Sequence, residues 1–118
     1  MKDLGRVLYA EDEYPNRRLL QFALERNGVV CDTAVDGVEA LSLFNAHSYS
    51  LVILDQYMPG MNGSEVAKRI RAIDPAVPLI AITSDDSQVP VLDAAGFDRV
   101  FLKPLRGQDY IETILRYL

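Results

Sequence analysis

The sequence predicts an open α/β fold, a parallel sheet wound with helices on both faces. Three observations carry this. Five short apolar segments recur along the chain, several of them near-continuous, as strands covered on both faces require. Segments with helical spacing of apolar residues stand between them. No linker, repeat or low-complexity tract breaks the alternation, and 118 residues make one domain by length.

The first strand is RVLYA (6–10). In the following PNRRLLQFALERNG, Leu19, Leu20, Ala23 and Leu24 form one stripe, and Gly28 is placed as a stop. Strand two is VVCDTA (29–34). Helix two lies in DGVEALSLFNAH, where Val38, Leu41 and Phe44 recur every third residue and Asp36 can cap the start. Strand three, LVILD (51–55), stops on a carboxylate, and a turn-forming cluster with Pro59, Gly60, Asn62 and Gly63 follows. Helix three has the stripe Val66, Ile70 and Ile73, with Asn62 as its cap and Pro75 past its end. Strand four is PLIAIT (78–83). In SQVPVLDAAGF, Pro90 removes a backbone donor and biases Val89 away from helical angles. The fourth helix is therefore expected to be short, running from near Pro90 to before Gly96. Strand five is RVFL (99–102). The last helix carries Ile111, Ile114, Leu115 and Leu118, and because Arg106 is no cap it is expected to begin near Gly107.

Composition narrows the function classes. The chain is 49% hydrophobic and 25% charged, ordinary for a globular domain. No segment approaches the roughly 20 apolar residues of a membrane helix, and MKDLGRVLYAEDE has no signal-peptide core, so a cytoplasmic domain without membrane contact is expected. Cys31 is the single cysteine, which excludes an internal disulfide and suits a reducing compartment; its apolar strand makes it inert core. A net charge of −5 argues against direct nucleic-acid binding. His47 lies in a polar stretch and is expected at the surface.

An open wound sheet places its site beyond the carboxyl ends of the strands. Strand one ends in Glu11 and Asp12, strand three in Asp55, strand four in Thr83 and Ser84, and strand five in Lys103 and Pro104. If those strands are neighbours, three carboxylates, a hydroxyl and an ammonium converge. Crowded carboxylates resist ionising, so a cation should offset them. Hard oxygen ligands suit Mg2+, or Mn2+ as the alternative, over zinc. A carboxylate nucleophile, a hard divalent cation, a hydroxyl and a lysine fit phosphoryl transfer onto aspartate. Taken singly, each residue has a plainer account: a solvated turn, a surface lysine, a β-branched strand former.

Together these signals resemble the receiver domain of two-component response regulators, over essentially the whole chain. The resemblance rests on Glu11–Asp12, LDQYMPGMNG around Asp55, Thr83–Ser84 and Lys103–Pro104, in that order. It implies a flavodoxin-like sheet of order 2-1-3-4-5 with five helices. It makes Asp55 the phosphoacceptor. Glu11, Asp12, Asp55 and the Tyr57 carbonyl would hold Mg2+. Thr83, the Ser84 backbone N–H and Lys103 would bind the phosphoryl group, with Lys103–Pro104 cis. Thr83 and Phe101 would form the switch, although Phe101 reads equally as plain core. Tyr57 and Asp85 would flank the path of hydrolytic water and tune dephosphorylation.

The resemblance further implies a histidine kinase or histidine phosphotransfer protein as donor. A downstream effector would be met through helix 4, strand 5 and helix 5, and the domain would be a monomer or weak homodimer. It would be a switch that catalyses its own phosphorylation and slow dephosphorylation rather than a turnover enzyme, with no output domain within these residues.

The sequence departs from the commonest pattern in having Glu11 for aspartate, Ser84 for alanine and a bulky Tyr57. A flavin mononucleotide carrier of the same fold is disfavoured by the charged EDEYPN loop. A haloacid-dehalogenase-type phosphatase is disfavoured because Tyr57 stands where its second acid belongs. The remaining alternative is a pseudo-receiver, unphosphorylated and used for protein contacts alone.

Overall fold

The structure, a computed structural model, describes residues 5–105 and 109–118. Strands β1 (Arg6–Ala10), β2 (Val30–Ala34), β3 (Leu51–Asp55), β4 (Leu79–Thr83) and β5 (Arg99–Leu102) alternate with helices. These are α1 (Tyr14–Arg26), α2 (Gly37–Ala46), α3 (Gly63–Ile73), α4 (Val89–Ala94) and α5 (Asp109–Arg116). The strands form one sheet in the order β2-β1-β3-β4-β5, and every neighbouring pair is parallel. This is the predicted order.

Side chains alternate across a strand, so consecutive residues feed opposite cores. Leu8, Val52, Leu54, Leu79 and Ala81 pack with Ala40 of α2, Val66 and Ile70 of α3 and Leu92 of α4. Val7, Tyr9, Ile53, Ile80 and Ile82 pack with Leu20 and Leu24 of α1 and Ile111 and Ile114 of α5. Every residue of β3 and β4 is buried, which explains their uninterrupted apolar runs. The edge strand β5 is shallower, with Arg99 and Leu102 exposed.

Three helical stripes differ from expectation at one residue each. Leu19, Val38 and Ile73 are 64%, 68% and 56% exposed. In α1 the buried line is Leu20 and Leu24, and Leu19 falls about 100° off it. In α2 the inward face runs through Gly37 and Ala40, with Leu41 and Phe44 partly buried. A Cβ on Gly37 would lie 2.8 Å from Val66 Cγ2, so this close approach to α3 turns Val38 outward. Ile73 is the last residue of α3, and Val77 takes a core place near Ile70 instead.

The caps are where the sequence put them. Asp36 Oδ1 accepts from the Glu39 N–H at 2.8 Å, and Asn62 Oδ1 from the Glu65 N–H at 2.9 Å. Gly28 takes φ 81° just past α1, a conformation that suits glycine. A 3-10 turn at Asp86–Gln88 runs straight into α4, so Val89 keeps helical angles (φ −56°, ψ −46°) despite Pro90. The local bias of a residue before proline yields to that turn. The expected start of the last helix near Gly107, with its argument from Arg106, lies outside the described residues.

Gly63 does more than shape a turn. A Cβ there would stand 2.6 Å from the Asp55 carbonyl oxygen and 3.1 Å from Gln56 Cα. Glycine lets α3 start directly against the end of β3. Gly63→Ala is expected to lower the unfolding free energy by about 2 kcal/mol, an overpacking penalty readable by urea titration.

Candidate functional site

The carboxyl ends of β1, β3, β4 and β5 lie side by side because the strand order places them so. Glu11 follows β1, and its N–H still bonds the Ala34 carbonyl at 3.0 Å, extending the strand pairing by one residue. That contact carries the Glu11 side chain into the protein, where it is fully buried. Asp12 is exposed. Asp55, the last residue of β3, is 4% exposed. One oxygen from each of Glu11, Asp12 and Asp55 lies within 4.8 Å of the others. Lys103 Nζ donates to Glu11 Oε1 at 2.8 Å and to Asp55 Oδ2 at 3.1 Å. The Lys103–Pro104 peptide is cis, as the resemblance implies.

Charge is unbalanced here. Burial pushes the Glu11 carboxyl above the usual carboxylate range, neighbouring Asp55 adds to the rise, and Lys103 opposes it. Burial disfavours the Lys103 ammonium, but its two carboxylate partners outweigh that and hold its pKa up. Glu11 Oε2 is buried without a hydrogen-bond partner. An orphaned acceptor beside two more carboxylates is what a hard divalent cation would satisfy. The residues therefore fit Mg2+.

Thr83 is fully buried, and its Oγ1 accepts from the Asp85 N–H at 3.2 Å. The Thr83 carbonyl accepts from the Lys103 N–H at 2.8 Å, tying the ends of β4 and β5 together. Ser84 is exposed, and with Tyr9, Glu11, Leu20, Lys103 and Tyr110 it lines a cleft of about 360 Å³. Tyr57 is 50% exposed, and its hydroxyl donates to Asp85 Oδ2 at 2.9 Å. Bonds from Ser87 and Tyr57 lower the Asp85 pKa. Phe101 stands apart from this cluster: it packs on the α1/α5 core with the Arg99 guanidinium 5.6 Å above its ring. Cys31 is buried, which pushes its thiol up to about 12, and His47 is exposed.

Two participants escaped sequence reasoning. Arg17 Nη1 donates to the carbonyls of Glu11 at 2.9 Å and Asp12 at 3.3 Å, pinning the acidic pair. Its place in α1 gave no hint of this. Gln56, 2% exposed, sits in a polar network behind Asp55. A polar residue inside an otherwise apolar strand-to-turn passage was the available signal.

The family model for the response regulator receiver domain matches residues 7–115. This chain belongs to that family. Receiver domains are phosphorylation-dependent signalling switches of two-component systems, and the acidic cluster here fits Mg2+ binding in such a domain. The transcriptional regulatory protein AfsQ1 of Streptomyces coelicolor is 36% identical over 104 residues, 86% of this receiver domain and 46% of that protein. The hybrid signal transduction histidine kinase L of Dictyostelium discoideum is 32% identical, over 98% of this chain and 7% of the kinase. The chain thus spans less than half the length of these relatives. The crystal structure of response regulator protein TrrA from Thermotoga maritima, in complex with Mg(2+)-BeF, has a TM-score of 0.89 at 34% identity. That match covers 96% of this receiver and 98% of that chain. No described helix is long and apolar enough to cross a membrane.

Proposed function

We propose that the domain takes a phosphoryl group on Asp55 from a histidine kinase or histidine phosphotransfer protein, and that Glu11, Asp12, Asp55 and the Tyr57 carbonyl hold Mg2+. The observation that carries this is the pairing of a nearly buried Asp55 with Lys103 beside the unpartnered oxygen of Glu11. Bound Mg2+ would supply positive charge to the phosphoryl oxygens.

An Asp55 carboxylate oxygen attacks phosphorus as the phosphorus–nitrogen bond of the phosphohistidine breaks, and the imidazole departs. Lys103 moves its ammonium onto the phosphoryl group. Thr83 Oγ1 and the Ser84 N–H donate to the phosphoryl oxygens. Hydrolysis reverses the state: water attacks phosphorus, inorganic phosphate leaves, and the Asp55 carboxylate returns. Turning Thr83 toward the phosphoryl group gives up its bond to the Asp85 N–H and frees the turn after β4. The surface of α4, β5 and α5 then changes for an effector. The domain would act in the cytoplasm as a monomer or weak homodimer, without direct nucleic-acid contact.

The test is intact mass after incubation with Mg2+ and acetyl phosphate, under conditions that preserve acyl phosphates. A single phosphoryl adduct is expected on the wild type and none on Asp55→Asn. A wild type without adduct would overturn the reading in favour of an interaction-only module.

Tyr57 and Asp85 set the lifetime of the phosphoryl group. Their hydrogen bond closes the approach beside the site, and water must open it to reach phosphorus. Tyr57→Asn should therefore lose phosphate about fivefold faster. Tyr57→Phe, which keeps the ring, should fall between. Equal decay of all three in a phosphate-release assay would refute this.

A further inference from the structure

We propose that Gln56 and Gln88 form a latch that holds the segment after β4 in its unmodified arrangement, with Gln56 as a positioning residue that opposes the switch. The inference rests on the reading that Asp55 is the phosphoacceptor, and it concerns a residue that reading does not use.

Gln56 follows Asp55 directly and is fixed on several sides. Its N–H bonds the Ile82 carbonyl at 2.9 Å, and its carbonyl accepts from the Gly63 N–H at 2.9 Å. Its side-chain Oε1 accepts from the Ser64 N–H at 2.8 Å. An N–H can only donate, so this contact fixes the amide's orientation and turns Nε2 the other way. Nε2 donates to Ser64 Oγ at 3.3 Å and to Gln88 Oε1 at 3.1 Å. Ser64 Oγ in turn donates to Asn62 Oδ1 at 2.8 Å, the cap of α3. Donors and acceptors alternate without conflict from α3 to Gln88. With Gln56 2% and Ser64 6% exposed, water cannot easily replace a lost partner.

Gln88 ends the 3-10 turn that leads into α4. That turn has two other tethers, the Asp85 N–H to Thr83 Oγ1 and the Tyr57 hydroxyl to Asp85. Drawing Thr83 to a phosphoryl group releases the first. If the turn then moves with α4, the Gln56–Gln88 contact must open, because Gln56 is anchored to β4 and α3 and cannot follow. The latch therefore favours the resting state alone, and its strength subtracts from the affinity for a phosphoryl group. Removing an interaction present in one state shifts the equilibrium toward the other by that interaction's Boltzmann factor, about fivefold for a single hydrogen bond.

The experiment compares wild type, Gln88→Met and Gln88→Glu. Methionine matches the length of Gln88 and removes the acceptor; glutamate keeps it. Gln88 is partly exposed, so both variants are expected to fold, with melting temperature as the check and Gln88→Ala as a second acceptor-less variant. Amide exchange across residues 84–96 is measured without ligand, and affinity for beryllofluoride is measured with Mg2+. Gln88→Met is expected to exchange faster and to bind beryllofluoride about fivefold more tightly, and Gln88→Glu to restore slow exchange. Unchanged exchange in Gln88→Met, or Gln88→Glu behaving like it, overturns the latch. Faster exchange with unchanged affinity also overturns it, since the contact would then hold structure without biasing the switch. Should the wild type itself fail to bind beryllofluoride, the phosphoacceptor reading fails, and the exchange arm alone decides whether the latch exists.

Discussion

Lys103→Met is expected to lower the unfolding free energy of the metal-free protein by about 3 kcal/mol at pH 8 and to slow phosphoryl acquisition at Asp55 at least about a hundredfold. The two effects share one cause. Lys103 faces two carboxylates at 2.8 and 3.1 Å, and both are nearly shut off from water. Removing the ammonium leaves two like charges buried together, at the same moment as it removes the donor proposed to meet a phosphoryl oxygen. The loss of stability should shrink at pH 5, where Glu11, with its pKa already raised by burial, is protonated and carries no charge to compensate. Urea unfolding in EDTA at the two pH values reads the first effect, and the rate of mass gain with acetyl phosphate reads the second. A stability loss of the same size at both pH values would show that Lys103 contributes packing rather than charge.

Glu11→Gln is expected to act in opposite directions on stability and on metal binding. The buried Glu11 carboxyl is raised from its ordinary 4.5 to about 7. The folded protein therefore holds this proton more tightly than the unfolded chain does. The stability this contributes is complete below about pH 4.5 and is lost as pH rises through about 7. Glutamine resembles the protonated acid at every pH and still offers an oxygen to Lys103. The metal-free variant should thus be more stable than wild type by about 2 kcal/mol at pH 8, with no difference at pH 4. The same change takes a carboxylate from the proposed cation site, so Mg2+ should bind at least about tenfold more weakly. Thermal unfolding across pH in EDTA, and calorimetric titration with MgCl2, check the two halves. A variant less stable than wild type at pH 8 would contradict the charge imbalance.

Most of the architecture could be read before any coordinates. The continuous runs LVILD and PLIAIT are buried at every position, and that signal survives because no partner helix has to be guessed. Residues such as Val38 and Leu19 misled because a helical stripe gives a period, while the neighbour that decides its phase lies elsewhere in the chain. For α2 that neighbour is α3 pressing on Gly37. The acidic pair, Asp55 and Lys103 were legible because strand ends converge by topology, and the structure brings Lys103 within bonding distance of Glu11 and Asp55 with an Asp12 oxygen within 4.8 Å of the other two carboxylates. Arg17 and Gln56 were not legible, since a long polar side chain reaches its partner by a rotamer, and rotamers have no sequence pattern. The Tyr57–Asp85 contact lies between these cases: its two positions could be named, but not the hydrogen bond that joins them.

The edge strand β5 has a consequence for how copies of the domain behave when crowded. It is four residues long, opens on exposed Arg99, and is followed almost at once by Pro104, which has no N–H to offer. A short edge with a charge at one end and a proline near the other is a poor template for another strand. Growth of one sheet onto the next is disfavoured there. This margin of the sheet therefore contributes little to strand pairing between copies.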